Sequence, residues 1–342
     1  MGDMFNTGVS VLLVVCAEGV GFVFDLSGEP LVSQATPTPT PSSPSLPSRP
    51  EMAAEASTSG GGSGSGPVVI TPVAQFPLLT NVRCLWVADV DCDGRQEVVV
   101  GAADRSATVF RLERLLGPAD GEWELRQVVQ WNVNGEVGSV SHVDSHGGMP
   151  AVLVGQPGGR FLALPLSAWS SASEVYAPNQ PSSAQRSRLE TLIVGLSHAD
   201  NSYVGVCTTD GAIRLHDLSA GELRWEIQVS HRLLSLTALD MTGSGADDLV
   251  VCAWDGMTYI MDPAFNVVRF DCSERVCAFA AGKFSLSAKG PPSLVLVYVT
   301  YSDKIKVYCD VALDSLELPG TNRTPSDRLA VLEAAFSSLL VP

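Results

Sequence analysis

Short, nearly continuous apolar runs recur along this chain, each followed by a turn and a stretch in which apolar and polar residues alternate. The runs are Val11-Leu12-Leu13-Val14-Val15-Cys16, Val98-Val99-Val100-Gly101, Val152-Leu153-Val154-Gly155, Val204-Gly205-Val206-Cys207, Leu249-Val250-Val251-Cys252 and Leu294-Val295-Leu296-Val297. From the second onward they return every 45 to 54 residues, and the first interval fits once residues 33–66 are set aside. The alternating stretches lie at Ala107–Leu112, Arg160–Leu164, Ala212–His216, Thr258–Met261 and Lys304–Tyr308, the period-2 pattern of half-buried strands. Further strands precede the runs, as at Val82–Val87, Leu234–Leu239 and Val276–Ala281. Three or four strands per unit at this period, with apolar central strands, predict an all-β fold built from propeller blades.

Six units are visible. Residues 1–31 read as the later part of a blade, so the expectation is a chain lacking an N-terminal blade rather than a closed six-unit ring. An unclosed ring leaves strand edges open, which is an aggregation liability. Helical periodicity enters only at Ser326–Leu340, where Leu329, Leu332, Ala335, Phe336 and Leu339 fall on one face and predict a short terminal helix. Ser33–Pro50 is a Thr/Pro/Ser tract and Ser59–Gly66 is almost pure Gly and Ser. Such a stretch cannot bury enough apolar surface to offset chain entropy, and reads as a disordered insertion. The expected organisation is a partial blade at 1–31, the insertion at 32–66, blades at 67–318 and a tail with a helix at 319–342.

Composition narrows the function classes. The 342 residues carry 21 Lys and Arg against 37 Asp and Glu, a net charge of −16. Gripping nucleic acid needs clustered cations to displace phosphate counterions, so no nucleic-acid partner is expected. The same balance disfavours docking on anionic lipid and favours basic protein surfaces. No run of about 18 uncharged apolar residues occurs, so no spanning helix is expected. Val9–Phe24 imitates a signal-peptide core, but Asp3 precedes it, no Lys or Arg does, and Glu18 interrupts it. The eight cysteines contain no C-x-x-C pair, and Cys16, Cys207 and Cys252 sit inside apolar runs as small buried hydrophobes would. Unpaired core thiols suit a reducing compartment.

The sharpest motif is Asp89-Val90-Asp91-Cys92-Asp93-Gly94-Arg95-Gln96-Glu97. Carboxylates at positions 1, 3, 5 and 9, with glycine at 6 for the turn, are what a hard divalent cation needs. A strand follows at once, and Val100 stands where an EF-hand loop carries its bidentate glutamate. Asp89, Asp91, Asp93 and Glu97 are therefore candidate Ca²⁺ ligands, against the alternative of an acidic loop closed by its own backbone hydrogen bonds. The loop resembles the calcium-binding hairpins of integrin α-subunit FG-GAP repeats. Val154-Gly155-Gln156-Pro157 fits the Gly-x-Pro half of that repeat, and Ala103 replaces the proline after Gly101. Asp240-Met241-Thr242-Gly243-Ser244-Gly245-Ala246-Asp247-Asp248 is a related loop in which Thr242 and Ser244 replace carboxylates, leaving a hairpin held by Asx and Ser/Thr turns. Asp3–Gly8 and Asp144–Gly147 read as further decayed, structural copies.

Little else carries chemistry. His142, Asp144 and His146 make a weak metal cluster in a loop. The sequence has no His-Glu-x-x-His, no Gly-x-Ser-x-Gly elbow and no Walker loop, so no catalytic residue is assigned. Asn322-Arg323-Thr324 is a chance sequon followed by proline. Trp254 and Asp255 in a turn are either blade packing or an exposed contact.

The stretch Val251–Asp262, with Asn266–Asp271 and Leu296–Tyr308, resembles the integrin-alpha FG-GAP repeat-containing protein 2 family. The likeness extends to Asp89–Gly101, to Cys16-Ala17-Glu18-Gly19 and to Phe24-Asp25-Leu26. The resemblance implies a non-enzymatic propeller, expected to have seven blades, that acts as a scaffold subunit of the KICSTOR complex. That complex recruits the GATOR GTPase-activating complex to the lysosomal surface and restrains TOR signalling on nutrient deprivation. The implied partners are other KICSTOR subunits and, through them, GATOR; the implied location is cytoplasmic, recruited to the lysosomal membrane without insertion into it. Family members begin earlier, with a further blade, and carry a longer C-terminal tail. The rival reading is an extracellular, calcium-dependent adhesion module like an integrin head, which requires paired cysteines. A propeller glycosidase or lyase would need a cleft with perturbed carboxylates, and nothing in the sequence indicates one.

Overall fold

The computed structural model describes residues 3–6, 11–24, 72–114, 123–143, 150–166, 189–198, 201–284, 293–311 and 313. The expected insertion at 32–66, the terminal helix and the Asp144–Gly147 loop lie outside them. The described residues form six antiparallel sheets, the blades of a β-propeller. The first holds β1 (Leu12–Val15), β2 (Val20–Phe24) and β3 (Ala74–Pro77); the second β4 (Val82–Ala88), β5 (Glu97–Ala102), β6 (Ser106–Arg114) and β7 (Trp123–Asn132). The third holds β8 (Ser139–Val143), β9 (Ala151–Gln156) and β10 (Arg160–Pro165). The fourth runs β11 (Thr191–His198), β12 (Asn201–Thr208), β13 (Ala212–Asp217) and β14 (Glu222–Gln228). The fifth runs β15 (Leu233–Leu239), β16 (Asp248–Ala253), β17 (Met257–Met261) and β18 (Val267–Asp271), and the sixth β19 (Val276–Phe284), β20 (Ser293–Thr300) and β21 (Ile305–Cys309).

In the five sheets after the first, each apolar run of the sequence is the second strand, and β5, β9 and β16 are buried at every position. Both faces of these strands are covered by neighbouring sheets, which explains why they read as continuous apolar runs. β1 carries the run of the first sheet, and among the described residues nothing pairs with its other edge.

Successive sheets meet through their first strands, β4 against β8, β8 against β11, β11 against β15 and β15 against β19. β11 lies close against β8 at Gly195, where an added Cβ would run into the His142 carbonyl. The core is divided into clusters between neighbouring sheets. Val99, Val109 and Trp131 meet Val152 and Leu164, whereas Ile213, Leu215 and Leu233 meet Leu249 and Tyr259. Each fully buried Val or Leu contributes about 1.5–3 kcal/mol before entropy is counted. Met4, Phe5 and Leu13 join the first sheet to Val98, Val100 and Phe110 of the second. Among the described residues no such cluster joins the sixth sheet to the first. On the sixth, Ile305 and Val307 are 70% and 49% exposed, and they pair with Val299 and Val297.

The outermost strands had no clear signature in the sequence. β14 alternates as Glu222-Leu223-Arg224-Trp225-Glu226-Ile227-Gln228 with most positions exposed, and reads by itself as a polar segment.

Candidate functional site

The acidic hairpin at 89–97 joins β4 to β5, and a set of local bonds fixes its shape. The Asp89 carboxylate accepts from two loop amides, Asp93 N–H at 3.1 Å and Gly94 N–H at 2.8 Å. Arg95 N–H donates to Asp93 Oδ1 at 2.9 Å. Val90 is fully buried and its amide donates to Glu97 Oε2 at 3.1 Å. Cys92 and Gly94 take the left-handed conformation, with φ of 61° and 88°, which turns the chain back into β5.

Four carboxylates in so small a loop repel one another unless a positive charge lies among them. The oxygens of Asp89, Asp91 and Glu97 gather within 4.8 Å of one another. Arg111 on β6 is the residue registered opposite Glu97. Its Nη2 lies 2.7 Å from Glu97 Oε1, 3.0 Å from Asp91 Oδ2 and 3.0 Å from Asp93 Oδ2, and its Nε donates to Glu97 Oε1 at 2.8 Å. Arg111 is 15% exposed and Glu97 not at all. Burial pushes the Glu97 carboxyl up to about 7, with the Arg111 hydrogen bond opposing the rise. Burial also works against the Arg111 charge, but hydrogen bonds to Glu97 and Asp91 outweigh it and hold the guanidinium above its ordinary pKa. All four sequence candidates are thus brought to one loop. Sequence reading missed Arg111, and the usable signal was its place one hairpin later on the paired strand.

The loop at 240–248 repeats the same frame. Asp240 accepts from Ser244 N–H at 3.0 Å and Gly245 N–H at 3.1 Å, and Met241 N–H donates to Asp248 Oδ2 at 3.1 Å. Met241 is buried as Val90 is, and Gly243 and Gly245 take the left-handed positions of Cys92 and Gly94. Met4 is the buried plug of the N-terminal copy. That copy abuts the acidic hairpin, since Asp3 N–H donates to Gln96 Oε1 at 2.7 Å and Gln96 N–H to Asn6 Oδ1 at 2.6 Å. The first and ninth positions of these loops therefore serve the backbone. Only the third and fifth distinguish the Asp89 loop.

Asp248, His216 and Glu274 are shifted at places apart from one another. Asp248 is pushed up to about 6 by burial, and His216, edge-on to Phe161 at 5.1 Å, is pushed down to about 4 by burial and Arg214. Glu274 is held down at about 2 by hydrogen bonds from Ser302 and Lys306. These groups belong to different blades or to the turn between the last two. His142 accepts from Trp86 Nε1–H at 3.0 Å within the packing of β4 on β8, and His146 lies outside the described residues. Trp254 stacks on Tyr301 with ring centroids 6.3 Å apart, and Asp255 pairs with His231. None of the eight cysteines forms a disulfide, and Cys207 and Cys252 are buried and Cys16 half-buried.

Comparison with known proteins places these features. Residues 1–194 and 189–313 match the sequence model of the integrin-alpha FG-GAP repeat-containing protein 2 family. The KICSTOR complex protein ITFG2 of Mus musculus is 32% identical over 345 residues, covering 93% of this chain and 72% of the mouse protein. Its counterpart in Bos taurus is 32% identical over 366 residues, covering 99% of this chain and 62% of the cattle protein. The solved structure of BBS1N in complex with ARL6DN superimposes with a TM-score of 0.55 at 13% identity, over 90% of this chain and 76% of that one. At that identity the likeness is one of fold.

Proposed function

The chain belongs to the integrin-alpha FG-GAP repeat-containing protein 2 family, and on that premise we propose that it is a non-enzymatic scaffold subunit of a KICSTOR complex. It binds other KICSTOR subunits and, through them, helps to bring the GATOR GTPase-activating complex to lysosomes, so restraining TOR signalling when nutrients are scarce. It works in the cytoplasm and reaches the lysosomal surface through its partners. The observation that carries this reading is the 32% identity to mouse KICSTOR complex protein ITFG2 across 93% of the chain.

The geometry supports it from another side. Catalysis needs reactive groups converging on one cleft. Here the buried carboxylates and imidazole with shifted pKa, Glu97, Asp248 and His216, lie on separate strands of three different sheets. A rigid propeller offers blade faces and loops as contact surfaces, and a net charge of −16 steers basic partner surfaces toward it. The test is removal of the gene followed by amino-acid withdrawal. Phosphorylation of TOR substrates should persist in the deleted cells and fall again when the chain is restored. A normal fall without the chain overturns the reading.

A further inference from the structure

We propose that the Arg111 guanidinium is the resident cation of the 89–97 loop, closing it without metal, and that removing this side chain turns the loop into a divalent-cation site. The geometry of the carboxylates carries the first half. A single nitrogen, Nη2, stands at 2.7–3.0 Å from an oxygen of each of Asp91, Asp93 and Glu97. A calcium ion needs six to eight oxygens at about 2.3–2.6 Å around one centre. An ion drawing these three carboxylates together would meet the guanidinium in the same space, charge against charge. As the side chains stand, the donor set does not fit a calcium ion.

The second half rests on the sister loop, which serves as an internal control. Its backbone frame is the same, with the first-position aspartate accepting from the fifth and sixth amides and the ninth-position carboxylate accepting from the second. One step beyond the Leu249–Met261 pair, Asp262 stands where the register of the Asp89 hairpin puts Arg111. With no arginine there, the third and fifth positions are Thr242 and Ser244 instead of aspartates. The extra carboxylates and the guanidinium occur together in one hairpin and are absent together from the other. Asp91 and Asp93 also accept from Asp93 N–H at 3.3 Å and Arg95 N–H at 2.9 Å. The sister loop makes the latter bond with the neutral Ser244 Oγ, so the carboxylate charge at these positions is matched to Arg111 and not to the backbone. Once the guanidinium is gone, Asp89, Asp91, Asp93 and Glu97 remain as an oxygen-rich, net anionic set without the cation that Nη2 held among them.

The experiment compares wild-type chain with Arg111→Gln by thermal unfolding in EDTA and in millimolar calcium, and by sensitised terbium luminescence. The wild-type melting temperature should be the same in both buffers, with no terbium signal from the loop. Arg111→Gln should melt lower in EDTA, rise by about 3 °C or more with calcium, and show terbium luminescence that Asp93→Ala removes. A calcium-dependent rise in the wild type overturns the proposal, and so does a folded Arg111→Gln that ignores calcium. If Arg111→Gln folds only when calcium is present, the proposal is upheld. If it folds in neither buffer, Arg111→Lys decides: it keeps a cation in the loop and should stay indifferent to calcium, and a calcium response in it overturns the proposal.

Discussion

Arg111 stands directly opposite Glu97 in the β5–β6 register, and its Nη2 lies 2.7 Å from a carboxylate that solvent does not reach. Removing either partner leaves the other buried among fewer counter-charges. Such losses reach about 3–5 kcal/mol for fully buried pairs and should be nearer about 2–3 kcal/mol here, because Arg111 keeps some contact with water. Arg111→Met should show that loss in denaturant unfolding without added metal. Glu97→Gln should lose less, since its amide oxygen still accepts from Val90 N–H. The double variant should lose less than the two singles added together; strict additivity would mean that the pair is not coupled.

Cys92, at a φ of 61°, occupies the loop position that Gly243 fills in the sister hairpin at 70°. A side chain in the left-handed region costs about 1 kcal/mol that glycine does not. Cys92→Gly is expected to stabilise the chain by no more than about 0.5 kcal/mol after the added freedom of the unfolded chain is allowed for. A lower unfolding midpoint in this variant would contradict the strain argument.

Asp248 supplies a pH dependence with a defined sign. Burial raises its carboxyl from 3.8 to about 6, so the fold favours the protonated form. Its share of stability is complete below pH 3.8 and is lost as pH rises through about 6. Asp248→Asn keeps an acceptor for Met241 N–H and removes the titration. Wild type should therefore lose more stability than Asp248→Asn between pH 4 and pH 7. His216 acts in the opposite sense, its share being complete above pH 6.5 and lost as pH falls through about 4. It is common to both proteins and drops out of the comparison. Parallel pH curves would contradict the assignment.

Gly195→Ala places a Cβ against the His142 carbonyl at the contact of β11 with β8. Backbone cannot swing aside as a side chain does, so the loss should be about 3 kcal/mol or more, read as a lower melting temperature or an insoluble product. An unchanged melting temperature would show that the two blades are not held this closely.

The thiols separate the cytoplasmic reading from the extracellular one. All eight cysteines should titrate as free thiols in denaturant without reductant. In the native chain Cys92 and Cys309 are exposed and should react first. Cys252, its thiol pushed up to about 12 by burial, and Cys207, shifted in the same direction, should react last. Fewer than eight free thiols would favour the adhesion module.

The central strands were legible because burial on both faces left polar residues only at their ends, as at Glu97, Gln156 and Asp248. Val98–Val100 and Leu249–Cys252 declared their strands outright, as the full burial of β5 and β16 explains. Outer strands such as β14 and β18 pair with the strand just before them but keep few fully buried positions, so local pattern said little. In the hairpin, spacing located Asp89, Asp91, Asp93 and Glu97. It could not locate Arg111, whose role depends on strand register 14 residues from Glu97. The identical frames of the 89–97 and 240–248 loops were readable only as decay from one motif. Hydrogen bonds were needed to show which positions hold the backbone.

The central claim is that this propeller assembles with KICSTOR subunits, and affinity purification of the tagged chain from its own cells, with mass spectrometry of what co-purifies, tests it most directly. Other KICSTOR subunits should come down with the chain in proportion to it, and GATOR components should follow them. Recovery of chaperones alone, or of the chain without any KICSTOR subunit, would contradict the account.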